Sequence, residues 1–441
     1  MRNVIIFTKR RTLNFLSLLK QRVPTNTGAF EAEVCAKNYL TVFDKAGLLV
    51  TPTAYTFNKI YAIKPGDLGD MNFTRSGDST LRINSNNSIS AVAASMPRLS
   101  YALGGCPSWL LEPQKTNNFL WSDPSTSPVS GMTINNLSFS ANDWNFGLNG
   151  KITFDNQNKT RLCAYNNSSI SLGAAQYTIS FYAKRVDGGA VTFGPGGANN
   201  DIAILFQNSS TFSGAVYSST LVRDGIYRCV ITATSTATST SFGIRKGTGE
   251  SENVVEISGI QLETASFPTT YIRTSGQIVT RETESISYDG IDNFTNLATN
   301  FSWYLELKNN IPFARVTNGS MHIGTATASA TGFSFRITND ITTPQRYKIQ
   351  KVVNGTVTTL YQTIASTGDT TKILFNWYNG QIDLWVNGTR QQTGSAFQIG
   401  PSDYIKYLRF NATDRPKNIG AIAFFRDQAL TDSESQILTT L

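Results

Sequence analysis

Residues 177–184 read YTISFYAK, a run in which apolar side chains alternate with polar or small ones. Successive side chains of a β-strand point to opposite faces of a sheet, so this period of two predicts a strand with one buried face. Residues 227–233 (YRCVITA) and 254–262 (VVEISGIQL) show the same alternation over the length of a strand. Together the three runs predict a β-sandwich in the middle third of the chain.

Short runs of the same kind continue on both sides of this segment, separated by the Gly, Asp, Asn and Pro residues that favour turns. They lie at residues 48–55, 59–65, 71–75, 80–84, 301–307, 332–337, 347–351, 372–377, 381–386 and 419–425. The predicted fold class is therefore all-β: an N-terminal arm with short helices, a small β region, and then two jelly-roll-like β-sandwiches.

Helical signals lie only near the two ends of the chain. Leu13, Leu16 and Leu19 stand near helical spacing and predict one or two short helices within residues 1–45. Thr431, followed three residues later by Glu434, has the pattern of a capping box and predicts a helix at the C-terminal end. No short-period repeat is present, which disfavours a β-helix of stacked rungs.

The chain has 441 residues, more than one hydrophobic core usually supports, so several domains are expected. Changes in composition and pattern divide it into a basic N-terminal arm (1–45), a small β connecting region (46–110) and two β-sandwiches (111–282 and 283–441).

The positive charge of the chain is concentrated in this arm. Residues 1–25 hold six basic residues and no acidic one, whereas the remainder carries 32 basic and 30 acidic residues. A nucleic-acid groove spreads basic residues over a folded face, so a nucleic-acid partner is not expected. The arm favours attachment to a protein partner, with contact to DNA or a solvated tail as alternatives. The candidate attachment residues are Arg2, Lys9, Arg10, Arg11, Lys20 and Arg22.

The four cysteines, Cys35, Cys106, Cys163 and Cys229, lie far apart and lack the paired spacing of a disulfide scaffold or a zinc site. We therefore expect free thiols in a protein that folds in a reducing cytoplasm. No stretch approaches the roughly 20 apolar residues of a membrane span, so no span is expected.

Residues suited to catalysis are sparse. His322 is the one histidine of the chain, and its alternating neighbours predict a position in a strand. Glu112, Glu263 and Glu282 lie in linker-like segments, whereas glycoside hydrolysis needs two carboxyl groups roughly 5–10 Å apart. We therefore expect no enzymatic activity, no catalytic residue and no metal or cofactor. A calcium site stays open as an alternative at Asp289-Gly-Ile-Asp-Asn, because this segment is rich in oxygen ligands.

Several short motifs resemble those of structural proteins of tailed bacteriophages. They are Pro65-Gly-Asp-Leu-Gly-Asp-Met-Asn-Phe-Thr-Arg-Ser, Met96-Pro-Arg-Leu-Ser-Tyr, Gly105-Cys-Pro-Ser, Leu110-Leu-Glu-Pro-Gln-Lys-Thr-Asn, Tyr182-Ala-Lys, Asp224-Gly-Ile-Tyr-Arg, Gly259-Ile-Gln-Leu-Glu and Ser266-Phe-Pro-Thr-Thr-Tyr-Ile-Arg-Thr. Residues 111–282 thereby resemble a carbohydrate-binding-module-like sandwich of that family, although Ile226 stands where the family usually has Trp. Residues 283–441, with Leu384-Trp-Val-Asn-Gly, are similar to a laminin-G or concanavalin-like sandwich.

The resemblance implies a virion protein made in the host cytoplasm. It would be a fibre or spike subunit, attached to other virion proteins by its N-terminus and assembled as a homotrimer. Its sandwiches would recognise host-surface glycans. Two alternatives stay open: a purely architectural capsid decoration or head-fibre subunit, and, less favoured, a polysaccharide depolymerase.

Sugar binding usually relies on exposed aromatic faces that stack on a pyranose, with polar side chains bonding its hydroxyls. In the first sandwich the candidates are Trp121 and Trp144, and the polar neighbours of Trp144 favour its exposure. In the second they are Trp377, Tyr378 and Trp385. The two tryptophans of this second group lie on alternating strands, so core packing is the alternative for them.

Overall fold

The computed structural model is nearly all β, with 56% strand and 5% helix, which confirms the predicted all-β class. The candidate attachment residues and the predicted N-terminal helices lie outside the described residues, apart from a 3₁₀ helix at Thr41–Lys45. The structure describes residues 29–30, 41–52, 54–63, 70–76, 80–101, 106–127, 132–155, 161–166, 173–206, 212–235, 241–246, 249–289, 295–296, 300–308, 321–324, 333–340, 346–353, 356–364, 370–378, 381–392, 404–405, 407–411 and 417–440.

The strands of these residues are short and follow one another closely. In the first half of the chain they are β1 (Ala29–Phe30), β2 (Leu48–Val50), β3 (Ala54–Thr56), β4 (Lys59–Ile60), β5 (Met71–Thr74), β6 (Thr80–Ile83), β7 (Ile89–Val92), β8 (Arg98–Ser100), β9 (Ser108–Leu111), β10 (Lys115–Asn117), β11 (Met132–Asn135), β12 (Ser138–Ala141), β13 (Gly150–Phe154), β14 (Arg161–Asn166), β15 (Ala175–Arg185), β16 (Phe193–Pro195), β17 (Ile202–Phe206) and β18 (Phe212–Arg223). In the second half they are β19 (Ile226–Ser235), β20 (Ser241–Lys246), β21 (Val255–Glu263), β22 (Val279–Arg281), β23 (Ser285–Asp289), β24 (Thr295–Asn296), β25 (Phe301–Lys308), β26 (Met321–Gly324), β27 (Phe333–Asp340), β28 (Arg346–Val353), β29 (Thr356–Ile364), β30 (Thr370–Tyr378), β31 (Gln381–Val386), β32 (Thr389–Gln392), β33 (Tyr404–Ile405), β34 (Tyr407–Asn411) and β35 (Lys417–Arg426).

One α-helix, α1 (Asp432–Thr439), is found in the described part of the chain. The hydroxyl of Thr431 accepts the backbone N–H of Glu434 at 3.3 Å, and the Glu434 carboxylate accepts the backbone N–H of Thr431 at 3.1 Å. This reciprocal pair satisfies two backbone donors that the first turn leaves free, and it confirms the predicted capping box.

The chain forms two compact units, each built from separated segments. Unit 1 comprises Met1–Ser79, Val92–Gln114 and Glu282–Leu441, and unit 2 comprises Thr80–Ala91 and Lys115–Arg281. The region that the sequence predicts as a separate connector, residues 46–110, therefore contributes strands to both units.

Unit 1 is a sandwich of two large sheets. Within the described residues, one sheet has the order β1-β3-β4-β5-β23-β34-β26-β27-β28-β29, and the other has the order β32-β31-β30-β25-β35-β9-β8, with β2 also paired to β35. Phe73 and Phe410 of the first sheet share a buried core with Trp109, Trp303 and Phe375 of the second. The Trp303 and Phe375 rings stack with their centroids 5.3 Å apart.

The second sheet of unit 1 also buries its opposite face. Phe43 of the 3₁₀ helix and Leu438 of α1 join a second apolar cluster there, and the Phe43 ring meets Tyr304 edge-on at 5.6 Å. Asn376 on β30 donates from its side-chain nitrogen to the hydroxyl of Ser435 on α1 at 2.9 Å. The 3₁₀ helix and α1 therefore cover this face together.

Unit 2 is a smaller sandwich. Its sheets have the orders β12-β13-β21-β15-β19-β18 and β11-β14-β20-β17-β16 among the described residues. The strand predicted from YTISFYAK is β15, and its alternate residues Ile179 and Phe181 lie in the core, where Ile204 and Ile244 of the other sheet meet them. The period of two thus identifies the side chains that face this core, but the expectation of a single buried face is wrong, since Thr178, Ser180 and Tyr182 on the other face are buried as well.

Residues of three sequence motifs, Arg75, Arg98 and Glu112, meet in a buried ion cluster in unit 1. The Arg98 guanidinium donates to Glu284 and pairs with Glu112 at 2.8 Å, and Arg75 pairs with Glu284 at 2.8 Å. All four side chains are buried. Each charge has an opposite partner, as burial of charged groups requires.

A motif residue of unit 2, Asn117, forms a second buried network. Its side-chain nitrogen donates to Ile260 O and Ile272 O, and its oxygen accepts the backbone N–H groups of Phe119 and Leu262, at 2.8–3.2 Å. These four bonds use the whole hydrogen-bonding capacity of the amide group.

The cysteines differ from the expectation of four free thiols. Cys106 is disulfide-bonded to a partner whose side chain lies outside the described residues, so the prediction is wrong for this residue. Cys229 is free and buried, and burial raises the pKa of its thiol to about 12.

Candidate functional site

A cluster of polar and aromatic side chains lies on unit 1 where β30, β31 and β32 meet the start of α1. In the strand register, Asp383 stands opposite Asn376, and Trp385 stands between Leu374 on one side and Arg390 on the other. We call Tyr378, Asp383, Trp385, Arg390 and Asp432 the Arg390 cluster.

The alternation of β31 decides which side chains face this cluster. Ile382 and Leu384 point into the sandwich core, so Asp383 and Trp385 point to the opposite face of the sheet. A tight turn at Asn387 and Gly388, both with positive φ, then returns the chain as β32 and places Arg390 beside Trp385.

Arg390 is held by two carboxylates and one ring. Its Nη2 donates to Asp383 Oδ2 at 2.5 Å and to Asp432 Oδ1 at 2.6 Å. Its guanidinium carbon lies 5.3 Å from the centroid of the Trp385 ring, within the range of a cation–π contact. Asp432 is 65% exposed and Arg390 is 32% exposed, so solvent reaches this side of the cluster.

Three polar atoms of the cluster are buried without a hydrogen-bond partner in the described part of the structure. They are Asp383 Oδ1, Trp385 Nε1 and Arg390 Nε. Asp383 is 2% exposed and Trp385 is 7% exposed, so both side chains are buried. An unpaired buried polar group costs about 1–3 kcal/mol, which makes their concentration in one place a feature that needs an explanation.

Tyr378 forms the half-buried rim of the cluster. Burial raises the pKa of its hydroxyl, and the nearby Asp383 carboxylate raises it further. The hydroxyl therefore stays protonated at neutral pH, where it both donates and accepts hydrogen bonds. The cluster thus presents a partly open aromatic ring beside donors and acceptors on a rigid sheet.

The other aromatic candidates occupy different environments. Trp377 is buried with its ring stacked on Phe301, and Trp144 is buried. The Trp144 indole N–H donates to Glu256 at 2.9 Å. These two rings have no open face for a ligand. Trp121 is half-buried in unit 2 and packs against Gly276.

The sequence reasoning named two members of the cluster, Tyr378 and Trp385, and missed three. Asp383 and Arg390 stand at i−2 and i+5 from Trp385, in the run DLWVNGTR. The Asn-Gly turn inside this run is a hairpin signal that could have brought both residues beside the ring. Asp432 lies 42 residues beyond Arg390 and carries no such signal.

The described residues contain no group of three or more side chains suited to hold a metal ion, and they include no helix that could cross a membrane. The segment after Asp289, where the sequence leaves a calcium site open, lies outside the described residues. His322 is on β26, a strand as predicted, and its side chain is also outside them.

Comparison with known proteins gives no family assignment. No protein-family model matches the chain, and no curated protein matches it. Among solved structures, the botulinum neurotoxin serotype D binding domain is similar with a TM-score of 0.28 and 15% identity, over 35% of this chain and 39% of that chain. Domain 4 of AbnA, a GH43 extracellular arabinanase from Geobacillus stearothermophilus in complex with arabinotriose, gives 0.27 and 17%, over 40% and 82%.

A pentraxin from Limulus polyphemus is similar at a TM-score of 0.25 and 15% identity, over 35% of this chain and 81% of that chain. All three likenesses have TM-scores well below 0.5 and cover less than half of this chain. Likenesses at this level do not indicate what the chain binds.

Proposed function

We propose that the chain is a non-enzymatic structural protein of a tailed-bacteriophage virion, a fibre or spike subunit that recognises host-surface glycans. In this proposal residues 1–45 attach it to other virion proteins, and the protein is made in the host cytoplasm and assembles as a homotrimer. The virion role rests on the sequence motifs, and the glycan role rests on the Arg390 cluster.

The observation that carries the glycan role is the half-exposed Tyr378 ring beside a polar cluster with unpaired atoms. Sugar sites in proteins combine an aromatic face with a few fixed polar groups that bond to hydroxyls. Tyr378 provides the face, and Arg390 and Asp432 provide exposed polar groups within the same cluster. Strands β30 and β31 hold these side chains on a regular antiparallel pair.

The positions of the acidic residues support a non-enzymatic role. Glu112 and Glu284 are buried and paired with Arg98, so neither is available as a free general acid or nucleophile. Glu263 is buried and accepts the backbone N–H and the hydroxyl of Thr269. These three carboxylates therefore act as structural groups in the proposal.

The test is binding of the full chain to an array of bacterial surface glycans, with and without Tyr378→Ala. We expect saturable binding to at least one glycan. Loss of a stacking ring should weaken it about tenfold, because such contacts contribute about 0.5–1.5 kcal/mol beyond their buried area. The melting temperature should hardly change, since Tyr378 is only half-buried.

Phe57→Ala is the matched control, because Phe57 is an aromatic residue of unit 1 that is 60% exposed and lies outside the cluster. It should bind like the unaltered chain. A folded chain that binds no glycan would favour the purely architectural subunit instead. Equal glycan binding by Tyr378→Ala and Phe57→Ala would show that the site lies elsewhere, with Trp121 as the next candidate. Release of new reducing ends from the glycan would favour a depolymerase.

A further inference from the structure

We infer that the Arg390 cluster selects uncharged glycans and rejects acidic ones such as those with uronate or sialate units. This inference rests on the proposed glycan-binding function and adds the ligand class. Three observations support it: the net negative charge of the cluster, the bonds of Arg390 to Asp383 and Asp432, and the polar atoms of the cluster that have no hydrogen-bond partner.

The charge of the cluster is negative. Asp383 and Asp432 contribute two carboxylates, and Arg390 contributes the one positive charge beside them. The same three groups are the charges that act on the Tyr378 hydroxyl. A carboxylate on a sugar stacked on Tyr378 would therefore meet a site with an excess of one negative charge, and like charges at short range repel.

Arg390 is already partly committed and can compensate an acidic ligand only in part. Binding of a carboxylate by arginine is strongest when two N–H groups of the fork bond to both oxygens. Here Nη2 is shared between Asp383 and Asp432, and the guanidinium lies over the Trp385 ring. An acidic sugar that binds through Nη2 would have to break these contacts first.

The polar atoms left over suit hydroxyl groups. Asp383 Oδ1 makes no close hydrogen bond, although the Tyr378 hydroxyl lies near the Asp383 carboxylate, and Trp385 Nε1 and Arg390 Nε lack acceptors in the described structure. A hydroxyl group can donate and accept, so neighbouring hydroxyls of one sugar complement both kinds of atom. Because the three atoms are buried, a small shift of the Arg390 side chain, which is partly exposed, would have to accompany their use.

The test is a comparison of neutral and acidic glycans with the full chain and with Asp432→Asn. The unaltered chain should bind neutral glycans, and its binding should hardly depend on salt. In the variant the excess negative charge is removed and Arg390 loses one carboxylate partner. Binding of uronate- or sialate-containing glycans should then rise about fivefold at low ionic strength and fall again at about 0.5 M salt. Because Asp432 belongs to the cluster, neutral binding is measured for the same variant, and the readout is the ratio of acidic to neutral binding.

Asp427→Asn is the matched control, since Asp427 is an equally exposed carboxylate of unit 1 that pairs with Arg426 and not with the cluster. It removes the same charge and should leave the selectivity unchanged. If the unaltered chain binds acidic glycans as well as neutral ones, the selectivity is overturned while the proposed function stands. If Asp427→Asn raises acidic binding as much as Asp432→Asn, the effect is one of total charge and the inference is overturned. A chain that binds no glycan overturns the proposed function and this inference together.

Discussion

The Asn117 network of unit 2 and the Arg390 cluster of unit 1 are both built from polar side chains close to sandwich sheets, but they differ in how completely they are bonded. Asn117 makes four hydrogen bonds, two from its nitrogen and two to its oxygen. The Arg390 cluster keeps three buried atoms without a partner in the described structure.

This difference separates a structural network from a candidate binding site. A buried polar network that is fully bonded fixes the path of the chain and leaves nothing for a ligand. Unpaired buried groups cost stability and are rare in native proteins, so they mark places where an external partner can complete the bonding. On this basis Asn117 acts as a structural residue of unit 2, and the Arg390 cluster is the candidate binding site that we propose for unit 1.

The largest expected effect comes from breaking the closed network with Asn117→Ala. Four backbone groups, those of Phe119, Ile260, Leu262 and Ile272, would lose their partner in a buried site. We expect a loss of about 3–5 kcal/mol in the free energy of unfolding, measured by urea titration. A loss below about 1 kcal/mol would show that the network is not structural.

Asp383→Asn is the matching change in the Arg390 cluster and should be much milder. Arg390 keeps its bond to Asp432 and its contact with Trp385, and it is partly exposed. The expected loss is about 1 kcal/mol in the same titration. A loss as large as that of Asn117→Ala would remove the contrast between the two regions.

The smallest expected effect is a change with pH in the free energy of unfolding, caused by Glu263 of unit 2. Burial raises the pKa of Glu263 above its ordinary 4.5, although Thr269 donates two hydrogen bonds to it. A carboxyl group with a raised folded-state pKa contributes stability that is complete below its unfolded-state pKa and is lost as the pH rises through the folded-state value.

Glu263→Gln keeps a neutral side chain that can still accept the Thr269 N–H. The variant and the unaltered chain should therefore be about equally stable near pH 4, and the variant should gain relative stability as the pH approaches 7. Urea titrations at several pH values measure this difference. A difference that does not change with pH would mean that Glu263 titrates alike in the folded and unfolded chains.

Much of the fold could be predicted from local sequence. The alternation in YTISFYAK identifies the side chains of β15 that face the sandwich core, and the spacing of Thr431 and Glu434 identifies the start of α1. Both signals work because they depend on neighbours within a few residues. The composition of the units depends on distant pairings such as β2 with β35 and β9 with β35, and no local pattern predicts these.

The site was predictable only in part, for the same reason. Trp144 lies among polar residues in sequence, but it is buried in an apolar cluster with Tyr182 and Tyr271, and Glu256, 112 residues away, accepts its indole N–H. Tyr378 and Trp385 could be named as aromatic residues near the end of a hairpin. Their polar partners could not be named, since Asp432 reaches Arg390 only through the folding of α1 onto the sheet.

The most direct test of the account is a crystal structure of the full chain with a neutral glycan that the array identifies. We predict electron density for a sugar ring against Tyr378, with its hydroxyls bonded to members of the Arg390 cluster. Density for the glycan at any other surface, with the Arg390 cluster unchanged, would contradict the central claim that the unpaired atoms of this cluster mark the binding site.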